Sequence, residues 1–337
     1  MRFRLSLAAL PIAAFLVGPA AFAAAPKDDT CQGSDMLAET KVTNPEVYKQ
    51  IMAEAAATEN AEALLWKIER AGRPASYLFG TVHLTDERVT KLSPVVRGAL
   101  KEAKTVALEV ADLSESATAA VIAQSAPLAI YSDGRRLDQK LSPSEYETVK
   151  KVISRSGLPA ELAALFKPWI VSMILSVSEC ERSKVQKGER VLDMKIAETA
   201  KALGIPVVGL ETIPDQLAAL AAVPEQQQLD MLRVNLRFAH RMNDLMETLV
   251  RLYLDRRMSA AFPLQLAMAR QIGIGKGAYV GFQKKLLTER NEKMLVVAEP
   301  LLTQGSAFVA VGALHLPGKQ GLVALLRQAG YTVTAVE

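Results

Sequence analysis

The sequence predicts an α/β fold with a central mixed, mostly parallel sheet, flanked by helices and carrying a helical cap insertion. Short and almost continuously apolar runs alternate with stretches of helical periodicity, which is the pattern of strands covered on both faces. Two of these runs end in the same pattern, Gly-x-x-His, at residues 80–83 and 312–315. Half of the 337 residues are hydrophobic, which is enough for a sizeable core.

The first 25 residues are expected to be a signal peptide rather than part of the fold. Arg2 and Arg4 precede an apolar run over residues 5–17, and Ala-Phe-Ala at residues 21–23 is typical of a cleavage site. The run is shorter than the ~20 residues that a membrane-spanning helix needs, so an uncleaved anchor is the less favoured alternative. Loss of both arginines lowers the formal charge from +4 to +2, which gives no argument for nucleic-acid binding. We expect an exported, periplasmic protein with no membrane span after cleavage.

The mature chain is predicted to begin with an N-terminal leader and helix over residues 26–61. Residues 26–43 are polar and predict a loose leader, after which Asn44 and Pro45 form an N-cap and first-turn proline. The α/β domain is expected to occupy residues 62–337.

The first strands of this domain are predicted from apolar runs and turn residues. Residues 64–70 and 75–80 should pair as two strands around the turn at residues 71–74. Ser93 then caps a helix, and residues 105–110 form an apolar strand that is interrupted only by Glu109.

Two helix-rich stretches, residues 112–190 and 214–300, are predicted to be insertions that form the cap. The first contains a capping box that begins at Ser142, and the second has an apolar period over residues 226–257 that predicts one long helix. A strand at residues 205–210 lies between the insertions and ends at Glu211.

The chain ends in a strand, a helix and another strand. These are predicted over residues 307–311, 319–329 and 331–336, with Gly330 ending the helix.

The candidate site lies where these strands end, because ligands of open α/β sheets bind beyond the carboxyl ends of strands. His83 and His315, two of only three histidines, both follow a strand there. Glu109 and Glu211 end two further strands, where an unpaired buried carboxylate would be costly. Two imidazoles with one or two carboxylates predict an open metal site, or alternatively a carboxylate that acts as a general base without metal.

Three other features have weaker functional interpretations. Arg290 and Asn291 lie on a predicted helix, and Arg290 could hold a carboxylate or substrate group. His240 lies in an arginine stripe that is typical of a solvated helix face, and we exclude it from the site. Cys31 and Cys180 favour one disulfide in an oxidising compartment, with two unrelated thiols as the alternative.

Several catalytic patterns are absent from the sequence. It has no phosphate-binding Walker loop, no dinucleotide-binding glycine fingerprint, no His-Glu-x-x-His and no Gly-x-Ser-x-Gly. Nucleotide-dependent, zincin and serine-hydrolase chemistry are therefore disfavoured.

The paired Gly-x-x-His motifs, with Glu109 between them, resemble the TraB/PrgY/GumN family, which includes the Tiki proteins. The resemblance covers about residues 62–336 and extends to Gly-Leu-Glu-Thr at residues 209–212 and to residues 289–294. It implies a fold similar to erythromycin esterase and haem-uptake ChaN-like proteins. Tiki members are regarded as metal-dependent peptidases that need both motif histidines and a glutamate, and the matching positions are His83, His315 and Glu109.

These observations and the resemblance together give our leading hypothesis, an exported metal-dependent hydrolase, for which a peptidase of the Tiki-like type is the favoured class. A divalent ion (manganese, cobalt or zinc) would be bound by His83, His315 and Glu109, and the substrate would be a peptide or other small hydrolysable molecule. The alternatives are a non-catalytic periplasmic protein that binds a peptide or glycan in the same cleft, and a metal-free, esterase-like hydrolase. The residues expected to support the site are Gly80, Gly312, Glu211, Arg290 and Asn291.

Overall fold

A computed structural model describes residues 31–111 and 125–337 and contains a six-stranded sheet in the order β4-β3-β5-β2-β1-β6. Only β1 runs antiparallel to its neighbours, β2 and β6, while β2, β3, β4 and β5 pair in parallel. The mixed, mostly parallel sheet with flanking helices is therefore confirmed. The strands are β1 Leu65–Glu69, β2 Ser76–Thr81, β3 Thr105–Leu108, β4 Val207–Gly209, β5 Ala307–Gly312 and β6 Thr332–Ala335.

Helices cover both faces of this sheet. One core contains Phe79 and Phe308 with the helices on their side, and the opposite core contains Leu78 and Val309, as the alternation of strand side chains requires. The helices include Met36–Thr43, Pro45–Ala56, Glu87–Thr90, Pro94–Lys101, Pro143–Arg155, Pro168–Leu175, Glu179–Gln186, Leu192–Ala202, Ile213–Ala221, Glu225–Phe238, Met242–Leu254, Ala261–Arg270, Val280–Phe282, Glu289–Gln304 and Leu322–Gln328.

A third core is helical and lies apart from the strands. It joins the Pro143–Arg155 and Pro168–Leu175 helices to Leu229 and Leu232 of the Glu225–Phe238 helix. Both predicted insertions thus contribute to one helical layer. The capping box at Ser142 is present at its start. The ChaN-like form of the cap stays a prediction.

Two predictions about helices are wrong. Part of the expected loose leader is the Met36–Thr43 helix, in which Asp35 caps the backbone amides of Leu37 and Ala38. That helix buries only its first two side chains, so its sequence carries almost no periodic signal.

The long helix expected over residues 226–257 is interrupted by a 3₁₀ turn at Ala239–Arg241. Phe238 and buried Met242 continue the apolar spacing on either side of the turn, so the period carries no signal for the break. His240 lies exposed in this turn.

A disulfide joins Cys31 to Cys180, so the two-thiol alternative is wrong. It ties the start of the described chain to the Glu179–Gln186 helix. Within the described residues, every helix is too short or too polar to cross a membrane. The expected signal peptide lies outside the described residues.

Candidate functional site at the strand ends

The two Gly-x-x-His segments leave the sheet side by side. In the parallel pairing of β2 with β5, Thr81 lies opposite Gly312. On the other side of β5, Leu108 of β3 pairs with Ala310, and the Glu211 amide donates to the Glu109 carbonyl oxygen at 2.9 Å. The carboxyl ends of β2, β5, β3 and β4 therefore bring both motifs and both predicted glutamates to one edge of the sheet.

The glycines of the motifs are required by close approach. A Cβ atom on Gly80 would lie 3.1 Å from the Cα of Ala313 and 3.0 Å from a methyl group of Leu316. A Cβ atom on Gly312 would lie 3.2 Å from Oε1 of Glu109. The glycines thus let the first segment pack against the second, and let the second accept a carboxylate.

His315 is buried, and its side chain is only 5% exposed. Its Nδ1 lies 2.6 Å from Oδ1 of Asn291, whose amide nitrogen donates to the carbonyl oxygen of Gln320 at 2.7 Å. This orientation of the amide makes Nδ1 of His315 the donor and leaves Nε2 with a free lone pair. Burial lowers the pKa of His315 to about 4, although the charge of Glu109 opposes this effect.

Glu109 is buried beside His315, with Oε1 at 3.7 Å from Nε2 of the imidazole. Oε1 accepts the Gly312 amide proton at 2.7 Å, and Oε2 accepts from Arg290 at 2.6 Å and from Gln216 at 3.0 Å. Burial alone would raise the pKa of Glu109, but the charges of Arg290 and His83 and the Gly312 hydrogen bond, together with the charge of His315 once that ring is protonated, hold it below its ordinary value. The carboxylate is therefore ionised at neutral pH.

Arg290 joins the two glutamates. Its guanidinium donates to Glu109 and to both carboxylate oxygens of Glu211, and Nη1 donates to the carbonyl oxygen of Leu286 at 3.2 Å. Gln216 also bridges the two carboxylates, donating to Glu211 at 2.9 Å. Arg290 is only 11% exposed, so its contacts support a structural cross-link rather than a substrate-binding group.

His83 has a different environment. Its Nδ1 lies 2.8 Å from Oδ2 of Asp193, whose Oδ1 accepts from the Thr81 hydroxyl at 2.6 Å. The charge of Asp193 and its hydrogen bond raise the pKa of His83 to about 9, against a smaller effect of desolvation. The His83 side chain is 64% exposed, so water screens part of this attraction.

The backbone around His83 is held by two further side chains. The Tyr253 hydroxyl donates to the carbonyl oxygen of Gly80 at 2.8 Å. Buried Glu181 accepts from the Thr85 amide at 3.0 Å and from its hydroxyl at 2.9 Å.

The structure thus brings the sequence-predicted residues into two networks. One contains His315, Asn291, Glu109, Arg290 and Glu211, and the other holds His83. The charges of Glu109 and Arg290 act on the pKa of His83, which places the networks within electrostatic range of each other.

Sequence reasoning missed Asp193 and Gln216. A capping box at Thr212 and Asp215 predicts the helix that carries Gln216, but no local pattern connects Asp193 to a histidine 110 residues earlier.

The donor set can be tested against a metal ion. In the described part of the chain, no group of three or more His, Cys, Asp or Glu side chains is arranged to hold one. Both motif histidines, however, have Nδ1 engaged by an oxygen acceptor, as is usual for metal-ligating histidines. Nε2 of His315 has a lone pair at neutral pH, whereas Nε2 of His83 becomes a donor only when the ring, whose pKa is about 9, loses its proton. Oε2 of Glu109 already accepts a hydrogen bond from Arg290. The described residues therefore supply two imidazole side chains as candidate donors, but no assembled metal site.

A helix-covered, mostly parallel sheet with ionised groups at its carboxyl edge defines an α/β protein whose candidate site lies at the strand ends. The model of the TraB/PrgY/gumN family matches residues 64–335, which include both motifs and Glu109. The chain belongs to this family.

Two relatives have similar sequences and are both described as uncharacterized protein YbaP. The protein from Shigella flexneri is 24% identical over 258 residues, which cover 76% of this chain and 89% of the relative. The protein from Escherichia coli (strain K12) is 24% identical over 253 residues, 74% of this chain and 87% of the relative. No solved structure matches the chain.

Proposed function

We propose that this protein is an exported, metal-dependent hydrolase, with peptides as the substrate class. The observation that carries the proposal is the anchoring of both motif imidazoles through Nδ1, to Asp193 and to Asn291. This leaves Nε2 as the nitrogen that would bind an ion, in His83 by displacing the Nε2 proton that its raised pKa retains at neutral pH. The peptide class comes from the resemblance to Tiki proteins.

In this proposal His83 and His315 hold a divalent ion (manganese, cobalt or zinc) through Nε2. Such an ion lowers the pKa of a bound water and polarises a carbonyl group. Glu109 is ionised and retains lone-pair capacity at Oε1, so it can accept a proton beside His315 Nε2. Arg290 and Gln216 hold the other oxygen of Glu109 and fix the direction of the carboxylate.

The test uses the three histidines of the chain. Purified mature protein is titrated calorimetrically with Mn²⁺, Co²⁺ and Zn²⁺ and assayed for hydrolysis of a peptide library. His83→Ala and His315→Ala should each abolish binding of the effective ion and lower turnover by about 100-fold or more, since each removes a donor to a catalytic ion. His240→Ala is the matched control, because His240 is exposed and distant in sequence from both motifs, and it should leave both measurements unchanged. Intact metal binding in both motif variants would overturn the proposal.

One observation favours a second candidate, a metal-free hydrolase. The His83–Asp193 pair, at 2.8 Å, has the form of a histidine oriented by a carboxylate, and the ring can act as a base once it loses the proton that its pKa of about 9 retains at neutral pH. Hydrolysis that survives exhaustive chelation but is lost in His83→Ala would favour this candidate. Turnover of any peptide, lost in His315→Ala, would exclude a protein that only binds its ligand.

Export to the periplasm is supported by the Cys31–Cys180 disulfide, since such bonds persist mainly in oxidising compartments. Cell fractionation of the full chain, compared with a chain lacking residues 2–25, tests this part of the proposal. The full chain should be recovered from the periplasm with a new N-terminus near residue 24, whereas the shortened chain should stay in the cytoplasm. Recovery of both chains in the cytoplasm would contradict export.

A further inference from the structure

Asp193 connects the first Gly-x-x-His segment to a distant helix. It lies in the first turn of the Leu192–Ala202 helix and is buried. A carboxylate in this position is favoured by the helix dipole, yet no side chain caps the helix at Val191, and Asp193 instead points both oxygens at the end of β2. Its side-chain hydrogen bonds to other residues are therefore made to the site.

The Asp193 carboxylate is oriented by one hydrogen bond and orients His83 through a second one. Thr81 is the last residue of β2, so its hydroxyl lies on a fixed backbone, and it donates to Oδ1 at 2.6 Å. This bond sets the direction of the carboxylate. Oδ2 then receives Nδ1–H of His83 at 2.8 Å. The ring of His83 is 64% exposed, so protein packing alone leaves its orientation weakly determined.

The second Gly-x-x-His segment has the same arrangement with a different acceptor. Asn291 accepts Nδ1–H of His315 and is itself held by its donation to Gln320. In both segments, a residue outside the motif accepts the proton on Nδ1 and is fixed by a further hydrogen bond. The recurrence argues that the Nδ1–H form of the ring is selected in both copies.

We propose that Asp193 is a positioning residue of the site, which keeps the neutral ring of His83 protonated on Nδ1 and so makes Nε2 the nitrogen that faces the ligand of the strand-end site. What Nε2 binds rests on the proposed function, but the orientation of the ring does not. A carboxylate that served only folding would leave the tautomer of His83 unchanged when it is replaced.

The experiment is ¹⁵N NMR of histidine-labelled protein, in which only three residues contribute signals. His83→Gln assigns the His83 signal. Spectra are recorded at alkaline pH, where the ring is neutral and the proton can be located on one nitrogen. In the native chain and in Asp193→Asn, whose amide oxygen can accept as Asn291 does, the proton should lie on Nδ1. In Asp193→Ala it should move largely to Nε2.

The matched control is Glu198→Gln, which removes a carboxylate from the exposed face of the same helix, where it pairs with Arg190. It should leave the His83 signal unchanged. Asp193→Leu is the second variant, because it removes the acceptor while filling the space if the alanine variant does not fold. Retention of the Nδ1–H form in the folded alanine or leucine variant would overturn the inference.

Calorimetric titration with Zn²⁺ gives a second measurement. Asp193→Ala should weaken zinc binding by about 10- to 100-fold, the usual effect of removing a partner of a ligating histidine. Asp193→Asn should recover most of the affinity. Unchanged zinc affinity beside a changed tautomer would also overturn the positioning role. If the native chain binds no metal ion, the proposed function fails, whereas the NMR result still decides the role of Asp193.

Discussion

The two Gly-x-x-His segments have the same local sequence pattern and opposite surroundings. The His315 side chain is 5% exposed and its Nδ1 is held by a neutral amide, whereas the His83 side chain is 64% exposed and its Nδ1 is held by a carboxylate. The pKa of His315 is lowered to about 4, and that of His83 is raised to about 9. The motif therefore sets where the backbone turns, and residues distant in sequence set the chemistry of each ring.

The two histidines differ in their surroundings because their strands have different positions in the sheet and different helices over their ends. β5 lies between β3 and β2, and the Glu289–Gln304 helix supplies Arg290 and Asn291 over its end. The second segment therefore ends in a closed network of charges. The first segment is held by Asp193 on one side and keeps an exposed ring.

The largest effect is expected from breaking the network of the second segment with Arg290→Leu. Buried Glu109 and Glu211 would lose their cation, which typically costs about 3–5 kcal/mol of unfolding free energy. Urea unfolding measures the loss. Arg190→Leu is the control, because its pair with Glu198 is exposed and is worth at most about 1 kcal/mol. Equal losses in the two variants would show that the network does not stabilise this segment.

The second largest effect is expected from removing the disulfide, which is connected to the first segment through Glu181. Cys180 precedes Glu181, whose carboxylate holds Thr85, two residues beyond His83. Replacing both Cys31 and Cys180 by serine should lower the free energy of unfolding by about 2–4 kcal/mol. Hydrogen exchange of the Thr85 amide should accelerate more than that of Gly312, which is bonded to Glu109. Equal acceleration at the two amides would contradict a selective effect on the first segment.

The sequence predicted the strands, their common edge and the two glutamates, because apolar runs and their terminal polar residues are local signals. Asp193 could not be predicted, since its carboxylate is brought to His83 by the tertiary packing of a helix on the sheet. The cap of the Met36–Thr43 helix is a single residue, and the helix is joined to the Met242–Leu254 helix by contacts distant in sequence, such as the bond from the Met36 amide to Thr248. The opposite pKa shifts of the two histidines could not be predicted either, because burial and neighbouring charges are properties of the folded chain.

The two motif glycines provide a smaller test of the comparison. Gly80→Ala places a Cβ atom against the backbone of buried Ala313, which cannot move away, and should cost about 1–3 kcal/mol. In Gly312→Ala the new Cβ atom has only side-chain atoms within 4 Å. Alanine also lowers the conformational entropy of the unfolded chain, which offsets about 0.4–1 kcal/mol of the destabilisation caused by crowding. Its cost should therefore be smaller. Urea unfolding of both variants measures the two losses of unfolding free energy. A larger loss for Gly312→Ala than for Gly80→Ala would contradict this prediction.

The last effect is expected from pH, and it has opposite signs in the two segments. The raised pKa of His83 stabilises the folded chain fully below pH 6.5, and this contribution is lost as the pH rises to about 9. Solvent screening of the exposed ring keeps it small. The lowered pKa of His315 acts in the other direction, because its contribution is present above pH 6.5 and is lost as the pH falls to about 4. An NMR titration should show His83 changing only on the alkaline side of pH 6.5 and His315 only on the acidic side. Titration of both rings near 6.5 would mean that their partners do not distinguish the two copies, and the contrast between the segments would then be one of exposure alone.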